Sequence, residues 1–216
     1  MTLKKEEILR KLLHLIALLM PISIYYIPYL GLPPWIPAAG LGIILGTSII
    51  VEYVRMKNSK AGQAFLKIFG YMMRPSEKNE VTGSTYIIAG ALICSLLFMS
   101  TPEVAFISLF LFITGDAMAA VIGLSIGKTR IFGKSVEGSA ACMICCILCL
   151  EFIIPLFPGV LSPWKGNMPF IQIVSIALGV TLLELVPMKT GKFKINDNLA
   201  APVLAGFLIY AIMCLN

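Results

Sequence analysis

The sequence predicts an all-α polytopic membrane protein with about seven transmembrane helices, one interfacial amphipathic helix and a cytoplasmic amino terminus. Three observations predict it. First, hydrophobic residues make up 58% of the 216 and charged residues only 13%, about half the charged share of an ordinary globular domain. With mean hydropathy at +0.92, there is too little polar surface to coat a globule in water. That excludes soluble, disordered, collagen-like and disulfide-scaffold classes. Second, apolar stretches long enough to cross roughly 30 Å of hydrocarbon, at about 1.5 Å per residue, recur along the chain. Third, the basic residues between those stretches fall almost entirely on one side.

The stretches are 8–27, 34–54, 83–100, 103–123, 138–157, 169–187 and 199–215. Open backbone in lipid leaves polar groups unsatisfied, so each is expected to be a helix. The first follows a basic stretch, as a secretory signal would. It lacks a small-residue cleavage site and exceeds a usual signal core, so it is expected to be a retained span. Lys4, Lys5, Arg10 and Lys11 mark the amino-terminal side. Arg55, Lys57, Lys60, Lys67, Arg74 and Lys78 lie between the second and third spans. Lys128, Arg130 and Lys134 lie between the fourth and fifth, and Lys189, Lys192 and Lys194 between the sixth and seventh. Of 17 Lys and Arg residues only Lys165 falls on the opposite side. The positive-inside rule then orients the amino terminus to the cytoplasm and the carboxyl terminus outward. The chain reads as one domain, 1–216, in the cytoplasmic membrane.

One segment, 61–73, suits the membrane surface. Phe65, Ile68, Phe69 and Met72 recur at helical spacing while Lys60, Lys67 and Arg74 share another face. That is the pattern of an amphipathic helix on an anionic leaflet. It serves either as a plain connector or as a lid over a lipid-entry gap.

Polar residues inside apolar spans are costly and need a reason. Here they gather at one depth. Arg10, Lys11 and His14 open the first span, with Arg10 and His14 on one face. Glu52 ends the second, with Arg55 a turn later. Asp116 lies about two turns inside the fourth, Glu184 ends the sixth, and Asp197 with Asn198 opens the seventh. Such a layer suits a soluble anionic substrate with a metal. Each also has a plain role: Glu52 with Arg55 as a helix-end ion pair, Asn196 or Asp197 as a helix cap, His14 as a packed polar group. Asp116 is too deep to be a cap, and no basic residue on its own span pairs with it. Glu151, towards the outer end of the fifth span, is taken as structural.

The fourth-to-fifth connection carries Gly115-Asp116-Ala117, Gly123, Gly127-Lys128, Arg130 and Gly133-Lys134-Ser135-Val136-Glu137-Gly138. Glycines admit phosphate oxygens to backbone amides, and basic side chains neutralise their charge. Gly133-Lys134-Ser135 echoes the end of a phosphate-binding P-loop, but Gly127 is one residue too far upstream and no strand precedes it, so an ordinary P-loop fold is rejected. A solvated basic turn explains the Lys and Arg but not the glycine spacing. Cys142, Cys145, Cys146 and Cys149 share one helical face, as small packing residues in lipid do. Nucleic acid is not an expected partner, since the basic loops carry few aromatic platforms. Gly42 and Gly46 form a small-xxx-small pair suited to helix packing within or between chains; the oligomeric state is open.

These residues resemble a family. The Arg10-Lys11-x-x-His14 start, Glu80-Val81-Thr82-Gly83-Ser84-Thr85-Tyr86, the long Gly115–Ser139 run, Glu184-Leu185-Val186-Pro187 and Asp197-Asn198-Leu199 occur in the order seen in CTP-dependent lipid-alcohol kinases. That family includes dolichol or polyprenol kinase, phytol kinase and yeast-type diacylglycerol kinase. The chain looks like a short, prokaryotic-type member. It departs after Gly123, where Leu124, Ser125 and Ile126 stand in place of the arginine and aromatic the family often carries, which shifts any such phosphate contact elsewhere, to Arg130.

The resemblance implies transfer of the γ-phosphoryl group of CTP to a membrane lipid alcohol, giving CDP and a lipid monophosphate. It implies Mg²⁺ held by Asp116 with Asp197, Asn198 or Glu184. Lys128, Arg130 and Lys134, with Gly127, Gly133, Ser135 and Glu137, would form the nucleotide and phosphate site. Asp116 or Glu80 would take the alcohol proton, and Arg10, Lys11 and His14 would close the site. A CDP-lipid synthase also uses CTP, but its acidic, glycine- and histidine-rich signature is missing from this chain. A transporter would place its polar groups near mid-membrane and show a repeat.

Overall fold

The computed structural model describes residues 10, 14–70, 73, 75–190 and 193–215, with backbone alone at 75, 76, 189, 190, 193 and 194. The fold is all-α. A 3₁₀ turn, Leu15–Leu18, leads into α1, Leu19–Tyr29. Pro21 has no N–H to offer the carbonyl of Ala17, and the chain before it tightens accordingly. Then follow α2 (Trp35–Lys57), α3 (Ser59–Phe69), α4 (Gly83–Leu97), α5 (Pro102–Ser125), α6 (Val136–Leu148), α7 (Phe170–Leu185) and α8 (Asp197–Met213). Two antiparallel hairpins interrupt them: β1 (Arg130–Ile131) with β2 (Lys134–Ser135), and β3 (Lys189–Thr190) with β4 (Phe193–Lys194). Beyond α6 the helix continues through a π turn, Cys149–Ile153, into a 3₁₀ turn, Ile154–Leu156. Pro155 again removes one ladder donor at this place.

The sequence expects seven spans. Among the described residues, three helical stretches are long and apolar enough to cross a membrane: Trp35–Lys57, Pro102–Ser125 and Val136–Leu156. Four shorter apolar helices accompany them, Leu15–Tyr29, Gly83–Leu97, Phe170–Leu185 and Asp197–Met213. At about 1.5 Å per residue, 15 to 17 residues reach roughly 22–26 Å, so length alone does not make them spans. The apolar exterior nonetheless belongs to an integral membrane protein: Leu19, Ile43, Ile50, Phe170 and Ile171 are all more than 60% exposed.

α5 is the hub. It is hydrophobic all round, as a helix surrounded by others must be, and it packs against α1, α4, α6, α7 and α8. Phe106, Ile107, Leu109, Leu111, Phe112 and Ile113 are almost wholly buried. Gly115 explains how α6 comes so close. A Cβ there would stand 2.8 Å from Cys142 Sγ and 3.2 Å from Cys146 Sγ. The cysteine face therefore packs on α5, and all six thiols are free. α2 stands apart from the hub, touching α1, α3 and α4. Around Gly42 and Gly46 nothing lies within 4 Å of an added Cβ.

α3 forms where the amphipathic pattern expects it. Asn58 caps it, its Oδ1 accepting from the N–H groups of Lys60 and Ala61 at 3.0 and 3.3 Å. Met72 and Arg74 of that pattern lie outside the described residues.

Candidate active site

A cavity of about 870 Å³ opens between α1, α2 and α4, with α3 along its rim. Its two ends differ in chemistry. One is polar, lined by Arg10, His14, Glu77, Asp116, Asp197 and Asn198. The other is apolar, walled by Ile16, Ala17 and Met20 of the first segment, Ile43 and Ile44 of α2, and Ile87 and Ile88 of α4. Phe65 and Phe69 of α3 line it as well.

The polar end is where the amino termini of α4 and α8 meet. Asn196 caps α8, its Oδ1 accepting from Asn198 N–H at 3.0 Å. Asp197 is thereby left out of the capping. Asn198 Nδ2 donates to the Gly83 carbonyl at 3.1 Å, joining the two helix starts. Glu77 Oε1 accepts the Gly83 N–H at 2.9 Å, serving one of the amides that a helix start leaves over. Two helix amino termini turned to one space supply positive potential for an anion.

Behind α4 a buried network holds the connection that carries Glu77. Glu52 and Arg55 are 4% and 7% exposed. Arg55 Nε donates to Glu52 Oε2 at 2.7 Å, and Nη2 pairs with the same oxygen. The remaining guanidinium protons reach the carbonyls of Lys78 and Glu77, both at 3.1 Å, and that of Glu80. Arg55 also lies over the Phe65 ring, 5.2 Å from its centroid, which ties α3 to the same clamp. Glu52 Oε1 accepts from Thr82 N at 3.1 Å, Thr82 Oγ1 at 2.6 Å and Thr85 Oγ1 at 3.2 Å. The ion pair is thus more than a helix-end contact, since it organises residues 77–85.

The hairpin between α5 and α6 approaches the polar end from the other side. Phe132 and Gly133, its two central residues, have φ of +54° and +85°, the type I′ geometry that fits a two-residue hairpin. Lys134 Nζ pairs with Glu184 Oε1 at 2.9 Å and Asp197 Oδ2 at 3.3 Å, and also donates to the Glu184 carbonyl. Burial works against its charge, but Glu184, then Asp197 and Asp116, outweigh that and raise its pKa above the ordinary 10.5. Ser135 Oγ caps α6 by accepting Gly138 N–H at 3.0 Å, and Glu137 Oε1 accepts Thr129 N–H at 3.2 Å. Arg130 donates to the Gly133 carbonyl at 3.2 Å. Gly127 and Gly138 serve close packing. A Cβ on Gly127 would meet the Gly123 carbonyl oxygen at 2.3 Å, and one on Gly138 the Ala119 carbonyl oxygen at 2.5 Å.

Arg10, His14, Asp116, Asp197 and Asn198 therefore come together on the cavity wall, and Lys134 and Glu184 form a layer joined to it through Asp197. Glu80, Lys128, Arg130, Gly127, Gly133, Ser135 and Glu137 stand outside the lining. Glu80 is exposed and meets Arg55 only through its carbonyl. Lys11 lies outside the described residues. Sequence reasoning missed Glu77, which lines the cavity. Glu77 is six residues ahead of the amide it serves, beyond the reach of a local capping pattern.

No family model and no solved structure matches the sequence. Several curated proteins are similar over much of it. CTP-dependent diacylglycerol kinase 1 of Schizosaccharomyces pombe is 26% identical across 97% of this chain and 95% of its own length. An uncharacterized protein of Rickettsia prowazekii is 24% identical across 90% of this chain and 88% of its own. One of Methanocaldococcus jannaschii reaches 32%, over 62% of this chain and 60% of its own. The chain is a distant homologue of the yeast CTP-dependent diacylglycerol kinase, and that similarity supports a lipid-kinase family in the broad sense.

Proposed function

We propose that this protein transfers the γ-phosphoryl group of CTP to the hydroxyl of a membrane lipid alcohol, giving CDP and a lipid monophosphate. The observation that carries this is the two-ended cavity of about 870 Å³. A nucleotide's phosphates need the polar end, and a lipid needs the apolar walls. Similarity to the S. pombe diacylglycerol kinase supports CTP as donor and makes diacylglycerol the first acceptor to try. Polyprenol or dolichol, phytol and geranylgeraniol complete the class. The basic side of the chain orients the site to the cytoplasm.

Phosphoryl transfer depends on positioning and charge neutralisation more than on covalent chemistry from the protein. The amino termini of α4 and α8, with Arg10 and Lys134, supply positive potential for the phosphates; Lys128 and Arg130 attract the nucleotide from the rim. Asp116 and Asp197, with Asn198, would hold Mg²⁺. Their hard oxygen donors suit it, and one or two carboxylates plus phosphates is its usual shell. Phosphate oxygens of the nucleotide and water would complete that shell. When bound, the ion neutralises charge building on the phosphate oxygens. Asp116 takes the alcohol proton as the lipid oxygen bonds to the γ-phosphorus and the bond to the β-bridging oxygen breaks. His14 and Arg10 close the site.

The test uses purified protein with Mg²⁺ and CTP labelled at either the α or the γ position. Diacylglycerol, polyprenol, phytol and geranylgeraniol are offered separately. Label entering lipid from the γ position alone supports the kinase. Label entering from the α position once a lipid phosphate is supplied, with pyrophosphate released from CTP, replaces it with a CDP-lipid synthase.

A further inference from the structure

The apolar end of the cavity is walled by side chains that also form the outer surface of the molecule. Ile16 of the first segment and Ile43, Ile44 and Val51 of α2 are between 42% and 72% exposed, and all four line the cavity. A side chain that is wall and exterior at once stands at an opening. The opening is a seam between the first segment and α2. It exists because the 3₁₀ turn that carries Ile16 packs on α5, whereas α2 stands off that hub and touches α1, α3 and α4. Thr47, the exposed hydroxyl on this stretch of α2, donates to the Ile43 carbonyl of its own helix at 2.9 Å, so it asks nothing of water.

The amphipathic helix α3 indicates what lies outside the seam. Its Phe65 and Phe69 line the cavity, Ile68 is 60% exposed, and Lys60 and Lys67 are exposed. A helix with an open apolar side and lysines on another face rests at a bilayer surface. α2 ends at Lys57 where α3 begins, so residues 51 to 43 lie about 9–21 Å along α2 from that surface, at about 1.5 Å per residue. That is within the roughly 30 Å of hydrocarbon. Volume adds a second reason. About 870 Å³ is the space of one drug-sized ligand, which takes roughly 300–1,000 Å³, and it is too small for a nucleoside triphosphate together with a whole long-chain lipid.

We propose that the seam between Ile16 and the 43–51 face of α2 is a lateral portal, which admits the head of a lipid to the polar end while its tail stays in the bilayer. This rests on the lipid-alcohol reading of the cavity and adds the route and the specificity that the route imposes. The site reads the head and the first carbons of the tail, and is blind to tail length beyond them.

The experiment uses the full chain in nanodiscs of phosphatidylcholine brominated on its acyl chains, a contact quencher of tryptophan. Trp35→Phe removes the exposed native tryptophan and leaves Trp164, which is 4% exposed. Ile88→Trp then places a reporter on the α4 wall of the cavity. The reporter should lose most of its emission relative to unbrominated nanodiscs. Ala17→Phe or Ile44→Phe, each of which narrows the seam, should restore it. Equal emission in the two nanodiscs overturns the portal, as does quenching that survives both narrowing variants. γ-Transfer from CTP by the unsubstituted chain separates this claim from the kinase. The acceptors are pairs of short and long tail at equal mole fraction: dioctanoylglycerol with dioleoylglycerol, and geranylgeraniol with a longer polyprenol. Within an accepted pair kcat/KM should agree within about twofold, far below the roughly 10–200-fold that one methylene costs in a closed pocket. A cut-off against the longer tail overturns the portal and leaves the kinase. Quenching with transfer to no acceptor removes the kinase and leaves the portal standing.

Discussion

Replacing Lys134 by Met tests the coupling between the α5–α6 hairpin and the carboxylates of α7 and α8. Lys134 pairs with Glu184 at 2.9 Å and Asp197 at 3.3 Å, with side chains 30%, 6% and 42% exposed respectively. At an effective dielectric of about 20, a pair at the shorter distance attracts by roughly 5–6 kcal/mol, much of it offset by desolvation. Removing one partner of a buried pair costs about 3–5 kcal/mol. The partial exposure of Lys134 moves the expectation down to about 2–4 kcal/mol. At roughly 2–4 °C per kcal/mol for a chain of this size, the melting temperature in detergent should fall by about 5–15 °C. The double variant Lys134→Met with Glu184→Met should recover most of that loss, because no buried charge is left alone. The pH dependence has a definite sign. The folded pKa of Lys134 is raised above 10.5, so its contribution is complete below that value and is lost only as pH rises through the higher folded one. The gap between wild type and Lys134→Met should stay constant from pH 7 to about 10. A single variant that melts like wild type would refute the reasoning, as would a double variant that loses the sum of both single changes.

Arg55→Lys should destabilise by about 3–5 kcal/mol, because an ammonium cannot reach Glu52 and three carbonyls together, and limited proteolysis should then cut within 75–82. Gly138→Ala should cost at least about 1–3 kcal/mol, since its Cβ would press on the Ala119 carbonyl at 2.5 Å. Gly46→Ala, with nothing within 4 Å, should be neutral or stabilising by up to about 1 kcal/mol; thermal melts of the pair check both. Ile88→Trp should fill the apolar end and raise the KM for lipid about tenfold while leaving that for CTP within about twofold, as in a pocket whose shape discriminates.

Helix existence was legible because the apolar runs and the basic connections alternate along the chain. Length within them was not. Pro21 and Pro155 reshape helices that hydropathy alone draws as continuous, and four apolar runs end as helices of 15 to 17 residues. The depth of Asp116 singled it out in the sequence, and it lines the cavity. The buried network around Glu52 was hidden because its partners are distant in sequence: Glu52 meets Thr82 thirty residues away, and Ser48 meets Thr85 across two helices. The glycine run was visible, but its physical cause was not. Spacing cannot distinguish an amide open to phosphate from a Cα pressed against a neighbouring carbonyl, as at Gly127 and Gly138.

The most direct measurement follows γ-label from CTP into lipid alcohol with wild type and Asp116→Asn side by side, both shown by size exclusion and melting to be folded. The account predicts robust transfer by wild type and a loss of at least about a thousandfold in the variant, the scale expected when an electrostatic centre of phosphoryl transfer is removed. Transfer by Asp116→Asn at a rate near wild type would contradict it.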